Sequence, residues 1–130
     1  MIQKEINDVT TFHKAFGLGV ASAPTTAISK EVMMLRHKLM AEENDEYLEA
    51  VENNDLIEIA DALGDMLYIL CGTIITHGLQ HKIDAVFEEI QRSNMSKLGR
   101  DGKPIYREDG KVMKGPDYFK PDIEKFLLKD

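Results

Sequence analysis

The sequence predicts an all-α domain with a four-helix bundle-like core over residues 6–96 and a basic, loop-rich tail over 97–130. Three observations carry that expectation. Apolar residues recur at helical spacing in four segments separated by Gly, Pro or Asn breaks. There is no tryptophan and only 7% aromatic residues, so the core must be filled by Leu, Ile, Val, Ala and seven Met, the usual filling of packed helices. Beyond Ser96 the composition turns rich in Gly, Pro and Lys. A length of 130 residues with 43% hydrophobic content fits one domain and leaves no room for two.

The elements follow in order. Val9, Phe12 and Phe16 share a helical face over 6–16, and Gly17 and Gly19 stop the pattern. After a connector, Pro24, Thr25 and Thr26 offer a helix start, and the run from Ser29 to about Val51 contains neither Gly nor Pro, which predicts a long second helix. Asn53, Asn54 and Asp55 mark a tight turn with an N-cap, and a third helix runs to about His77 with Gly78 as its C-cap. Gly64 and Gly72 inside it are expected to permit close helix contact. A fourth helix over 80–95 carries Ile83, Val86, Phe87 and Ile90. In the tail, 104–113 has Asp109 and Gly110 between Ile105-Tyr106 and Val112, the pattern of a small hairpin or ordered loop.

Charge narrows the function. Lys plus Arg number 16 against 23 Asp plus Glu, a net charge of −7, which argues against nucleic acid or a membrane surface as partner. No run approaches the ~18 consecutive apolar residues of a membrane span, and MIQKEINDV is not leader-like, so a cytoplasmic protein is expected. A lone cysteine, Cys71, forms no internal disulfide, and no Cys/His cluster has zinc spacing.

The acidic residues are not spread evenly. Residues 39–81 contain no Lys or Arg, and 42–65 hold ten carboxylates. On the second helix Val32, Leu35 and Leu39 define an apolar stripe whose direction is continued by Glu42, Glu43 and Glu46, with Ala50 resuming it. On the third, Leu56, Ile59, Ala60, Leu63, Leu67, Leu70 and Ile74 form the main apolar face, while Glu58, Asp61 and Asp65 line another. Below Asp65 that helix is apolar all round, as a buried helix would be. Helices joined by so short a turn run antiparallel, which brings the two acidic trios together. Converging carboxylates repel unless a cation neutralises them, and hard oxygen ligands without Cys or His favour Mg²⁺, with Mn²⁺ able to substitute. Such ions keep phosphate oxygens among their ligands, so a phosphate-bearing substrate is expected. A di-iron centre would need an Asp/Glu-x-x-His pair; the residues three before the four histidines are Thr10, Met34, Ile74 and Gly78.

The order EExxE (Glu42, Glu43, Glu46) in KLMAEENDEYLEA, then EIADALGDMLYILCGT with Glu58, Asp61 and Asp65, resembles the all-α nucleoside triphosphate pyrophosphohydrolase superfamily, which includes MazG-like proteins and phosphoribosyl-ATP pyrophosphohydrolases. Glu58-x-x-Asp61 satisfies its ExxD motif literally, whereas Asp65, which precedes Met66, Leu67 and Tyr68 as the family's metal-binding Asp does, has Ala62 three places before it. The tail SNMSKLGRDGKPIYREDGKVMKGPDYFKPD is similar to the ending of a phosphoribosyl-ATP pyrophosphohydrolase-like branch, so the resemblance covers about 9–122. It implies a MazG-type fold and cleavage of a nucleoside triphosphate between the α and β phosphates to give monophosphate and pyrophosphate. It further implies Mg²⁺ held among Glu43, Glu46, Glu58, Asp61 and Asp65, Glu42 or Glu43 as base, and a homodimer or homotetramer. Asn94, Lys97, Lys111 and Lys114 are the candidates for substrate phosphates. His13, with Phe12 and Phe16, is a candidate for the wall of a base pocket, by resemblance to members whose N-terminal helix borders it. The alternatives are phosphoribosyl-ATP pyrophosphohydrolase itself and a non-catalytic helical oligomeric scaffold.

Overall fold

The computed structural model describes residues 1–127; residues 128–130 of the expected tail lie outside the described residues. Among the described residues there are five helices and no strand: α1 (Gln3–Ala15), α2 (Lys30–Glu52), α3 (Leu56–Thr76), α4 (Ile83–Met95) and α5 (Glu124–Leu127). The chain divides into two compact units, Met1–His81 and the remainder from Lys82.

In the first unit the helix ends follow local chemistry. Ser29 caps α2, its hydroxyl accepting from Val32 N at 3.1 Å, and Asp55 caps α3, its carboxylate accepting from Glu58 N at 3.1 Å. Between α2 and α3 the chain reverses in three residues because Asn54 takes a left-handed conformation, φ 52°. At the far end Gly78, φ 68°, terminates α3, with its N–H donating to Ile75 O at 3.2 Å. The connector before α2 is stitched to that same end: Ala21 N donates to Ile75 O at 2.9 Å, Thr25 N to His77 O at 2.9 Å, and Gln80 Nε2 to Ala21 O at 2.8 Å.

Both α1 and α2 pack on α3. By length and hydropathy α3 could cross a membrane, but it carries Asp61 and Asp65 and is the shared partner of two helices, as a core helix is. The buried seam differs from the expected stripe. On α2 the buried residues are Arg36 and Ala50, while Val32 and Leu35 are exposed. On α3 Ala62, Cys71, Gly72, Ile74, Ile75 and Thr76 are buried, while Leu63, Leu67 and Leu70 remain 49%, 42% and 47% exposed. A polar junction sets this rotation. Arg36 donates from Nε to Thr73 Oγ1 at 3.1 Å and from Nη2 to Ile69 O at 2.8 Å. Gly72 makes room for it, since a Cβ there would lie 2.5 Å from Arg36 Nη2 and 2.9 Å from His13 Nε2. Gly64, by contrast, faces open space.

In the second unit Glu89 of α4 is buried and receives Arg92 at 3.0 Å, Lys125 at 3.7 Å and the backbone N–H of Asp122 at 2.8 Å, which holds the C-terminal segment against α4. The Asp122 N–H, then Arg92 and Lys125, hold its carboxyl below the usual carboxylate range. Ser93 Oγ donates to Phe119 O at 2.8 Å, and the Arg92 guanidinium stacks over the Phe119 ring at 4.7 Å. The expected hairpin over 104–113 is one antiparallel bridge, Tyr106 with Val112, closed by Met113 N donating to Ile105 O at 2.7 Å. The fourth helix starts at Ile83 rather than at residue 80, because Gly78 turns the chain before it. The short α5 has no counterpart in the sequence expectation.

Candidate active site

The turn at 53–55 sets α2 and α3 antiparallel, so residues whose numbers sum to about 108 face each other: Arg36 opposite Gly72, Glu43 opposite Asp65, and Ala50 opposite Glu58. In this register the seam that begins at Arg36 advances in steps of three or four to Glu43 and Glu46. One carboxylate oxygen from each of Glu43, Glu46 and Asp65 lies within 4.8 Å of the other two. Glu43 is half-buried, and its Oε2 is enclosed without any hydrogen-bond donor. Burial, then a hydrogen bond and charge repulsion from Glu46, and repulsion from Asp65 and Asp61 push its carboxyl up to about 7. An enclosed carboxylate oxygen without a donor, beside two further carboxylates, is an all-oxygen donor set that fits a hard divalent ion such as Mg²⁺ or Mn²⁺.

Beside the trio opens a cleft of about 450 Å³ lined by Glu46, Glu49, Ala50, Asn53, Asp55, Glu58 and Asp61. Asp61 and Glu58 therefore stand in the adjoining wall, Asp61 close enough to act on Glu43. The third-helix member of the trio is Asp65, four places beyond Asp61. Glu42 turns away: because the seam runs through Arg36 and not Leu35, Glu42 falls on the outer flank with Lys38 at 3.9 Å and is half-exposed. His13 is 3% exposed, its Nδ1 3.0 Å from Gly19 O, so the structure places it in the core beside Gly72 and Arg36. Asn94, Lys97, Lys111 and Lys114 all belong to the second unit, where Lys114 Nζ sits 4.9 Å over the Tyr118 ring.

Sequence reasoning passed over several neighbours. Glu49 and Asn53 line the cleft at the i+3 and i+7 positions from Glu46, a spacing that could have found them. Tyr68, one turn on from Asp65, meets Phe12 edge to face at 5.6 Å, and Phe12 meets Phe16 at 4.4 Å. All three rings are partly exposed.

The sequence profile of the phosphoribosyl-ATP pyrophosphohydrolase family matches residues 9–94, which contain all three carboxylates of the trio. The crystal structure of a candidate NTP pyrophosphohydrolase from Exiguobacterium sp. 255-15 is similar over 95% of this chain and 94% of that one, with 30% identity and a TM-score of 0.54. An uncharacterized protein of Acanthamoeba polyphaga mimivirus is 34% identical over 71 residues, which is 55% of this chain; the chain spans 28% of that relative's length. With the helical fold, the paired acidic motif and the profile in agreement, the chain belongs to the phosphoribosyl-ATP pyrophosphohydrolase family, within the MazG-like all-α pyrophosphohydrolases.

Proposed function

We propose that the protein is a metal-dependent nucleoside triphosphate pyrophosphohydrolase that cleaves between the α and β phosphates. The observation that carries this reading is the trio of Glu43, Glu46 and Asp65, one of whose residues, Glu43, has an enclosed carboxylate oxygen without a donor. A Mg²⁺ ion bound there would neutralise the carboxylates and stabilise charge building on the phosphate oxygens. Glu43, Glu46 and Asp65 would hold it, with Asp61 and Glu58 in the adjoining wall. Glu43 is assigned as the base, being the one carboxylate of the trio that is half-buried. It takes a proton from water as the water oxygen bonds to phosphorus; the bridging P–O bond breaks, and nucleoside monophosphate and pyrophosphate leave. Lys97, Lys111, Lys114 and Asn94 are the residues proposed for the polyphosphate, as lysine ammonium groups are suited to phosphate oxygens.

A homo-oligomer, dimer or tetramer, belongs to the same proposal. Leu56 and Ile57 are 77% and 80% exposed, and Met34, Leu35, Leu48, Leu63 and Leu70 are exposed as well, apolar side chains of α2 and α3 that association would cover. A second substrate reading is favoured by the family match itself: phosphoribosyl-ATP, cleaved at the same bond. One assay tests both. Pyrophosphate release is measured from canonical dNTPs, NTPs and phosphoribosyl-ATP with Mg²⁺ or Mn²⁺, beside Glu46→Ala and Asp65→Ala. The expected result is metal-dependent release that each substitution lowers by about 100-fold or more. Release from none of these substrates, with metal leaving thermal stability unchanged, would hand the fold to the scaffold reading.

A further inference from the structure

We propose that Glu89 is a positioning residue: it clamps the segment 115–126 against α4 and thereby holds Lys114 beside Lys97, where the two ammonium groups receive one polyphosphate. This rests on the assignment of these lysines under the pyrophosphohydrolase reading, but its evidence lies wholly within the second unit. The buried residues of α4 are Glu89 and Ser93, both polar, whereas Phe87, Ile90 and Met95 are exposed. A helix that turns polar side chains inward is held by specific bonds more than by apolar contact, and a carboxylate withdrawn from water is costly unless its oxygens are answered. Both oxygens of Glu89 are answered. Oε1 accepts from Arg92 Nε at 3.1 Å and from Arg92 Nη2 at 3.0 Å, and Oε2 accepts from the Asp122 N–H at 2.8 Å with Lys125 at 3.7 Å. Further along α4, Ser93 Oγ donates to Phe119 O at 2.8 Å, and Ser96 Oγ accepts from Phe119 N at 3.2 Å. The segment is thus fixed at 119 and again at 122, running back along the helix it left.

What the clamp holds is the neck of a loop. Residues 97–114 follow α4 and return at Gly115, which is buried; a Cβ there would fall on the Leu98 carbonyl and lie 2.8 Å from Lys97 O. The main chain at 115 therefore runs against that at 97 and 98, an approach that only a residue without a side chain allows. Lys97 stands on one side of this neck and Lys114 on the other. Lys114 is steadied by the clamped segment: its Nζ sits 4.9 Å over the Tyr118 ring, and Tyr118 N donates to Gly115 O at 3.2 Å, one residue before the Phe119 anchor. A lysine ammonium is a point charge on a flexible stem, so two of them set together by a fixed neck lose less freedom on meeting a polyanion than two loose ones. Like charges so placed repel until an anion lies between them. The clamp offsets that repulsion, which gives the buried Glu89 carboxylate a use that the metal trio does not.

The test measures kcat and KM for the best nucleotide substrate with Mg²⁺ in the full-length protein, for wild type, Glu89→Gln, Lys114→Ala and the double variant. Glu89→Gln, whose amide keeps an acceptor but drops the charge, should raise KM by about tenfold, with kcat within about twofold and Mn²⁺ affinity as in wild type. Lys114→Ala should raise KM at least as much, and adding Glu89→Gln to it should raise KM by no more than about twofold further, since the carboxylate acts through the lysine. A structural role alone would lower kcat with the amount of folded protein and leave KM where it was. That result, an unchanged KM in either single variant, or full additivity in the double variant overturns the proposal while leaving the hydrolase reading intact. If Glu89→Gln does not fold, Ser93→Ala, which removes the bond to the Phe119 carbonyl, takes its place with an expected rise of about threefold in KM. If wild type hydrolyses no nucleotide, the hydrolase reading is what has failed, and the clamp is judged by calorimetric titration of inorganic pyrophosphate with Mg²⁺. Binding by wild type that Glu89→Gln and Lys114→Ala each weaken by about tenfold supports it; no binding, or equal binding by all three, overturns it.

Discussion

Glu43 has one carboxylate oxygen enclosed without a donor, and it shares a trio with Glu46 and Asp65 in which one oxygen of each lies within 4.8 Å of the others. Its carboxyl, pushed up to about 7 by burial and by Glu46, Asp65 and Asp61, makes its own contribution to how stability varies with pH. Below the ordinary value of about 4.5 the group is protonated in both the folded and the unfolded chain. Between 4.5 and 7 the unfolded chain releases the proton and the folded chain keeps it, so stability falls as pH rises through this window and stays lower above it. A bound divalent cation reverses the penalty and displaces the proton. The melting temperature of metal-free protein should therefore decline from pH 5 to 7.5, and Mg²⁺ should raise it more at pH 7.5 than at pH 5. Equal melting temperatures across that range, with or without Mg²⁺, would contradict the assignment of Glu43.

The helices are positioned by a few polar residues. Arg36, buried and bonded to Thr73 and to the Ile69 carbonyl, sets which face of α2 meets α3, and Gly72 is the space it occupies. Gly72→Ala should destabilise the protein by about 1–3 kcal/mol, because the guanidinium can move only by giving up those bonds. Asp55→Ala, which removes a cap from the exposed start of α3, should lose about 1 kcal/mol. Denaturant unfolding of both variants checks the order, and a smaller loss at Gly72 than at Asp55 would contradict it. The helices themselves were legible in the sequence because caps and stops are local: Ser29, Asn54, Asp55 and Gly78 each act within a few residues of where they stand. The rotation of α2 was not legible. Leu35 and Arg36 differ by 100° around the helix, hydropathy favours Leu35 for the core, and only the Thr73 and Ile69 partners on another helix decide for Arg36. That one choice sets Glu43 and Glu46 beside Asp65 and turns Glu42 toward Lys38. It also explains why His13, drawn inward beside Gly72, lines no surface.

For the molecule as a whole, the first unit presents carboxylates and exposed apolar side chains, and the second presents most of the lysines and arginines of the tail. The exposed leucines and methionines of α2 and α3 carry the proposal of self-association. Sedimentation velocity should give a dimer or tetramer, and Leu35→Glu should shift it toward monomer; a wild-type monomer at micromolar concentration would contradict that proposal. The proposed function depends on whether the trio holds a cation. The decisive measurement is calorimetric titration of Mn²⁺ into wild type and Asp65→Ala at pH 7.5. The account predicts saturable binding by wild type, accompanied by proton release, that Asp65→Ala weakens by about 100-fold or more. Absence of binding by wild type, or equal binding by Asp65→Ala, would contradict it.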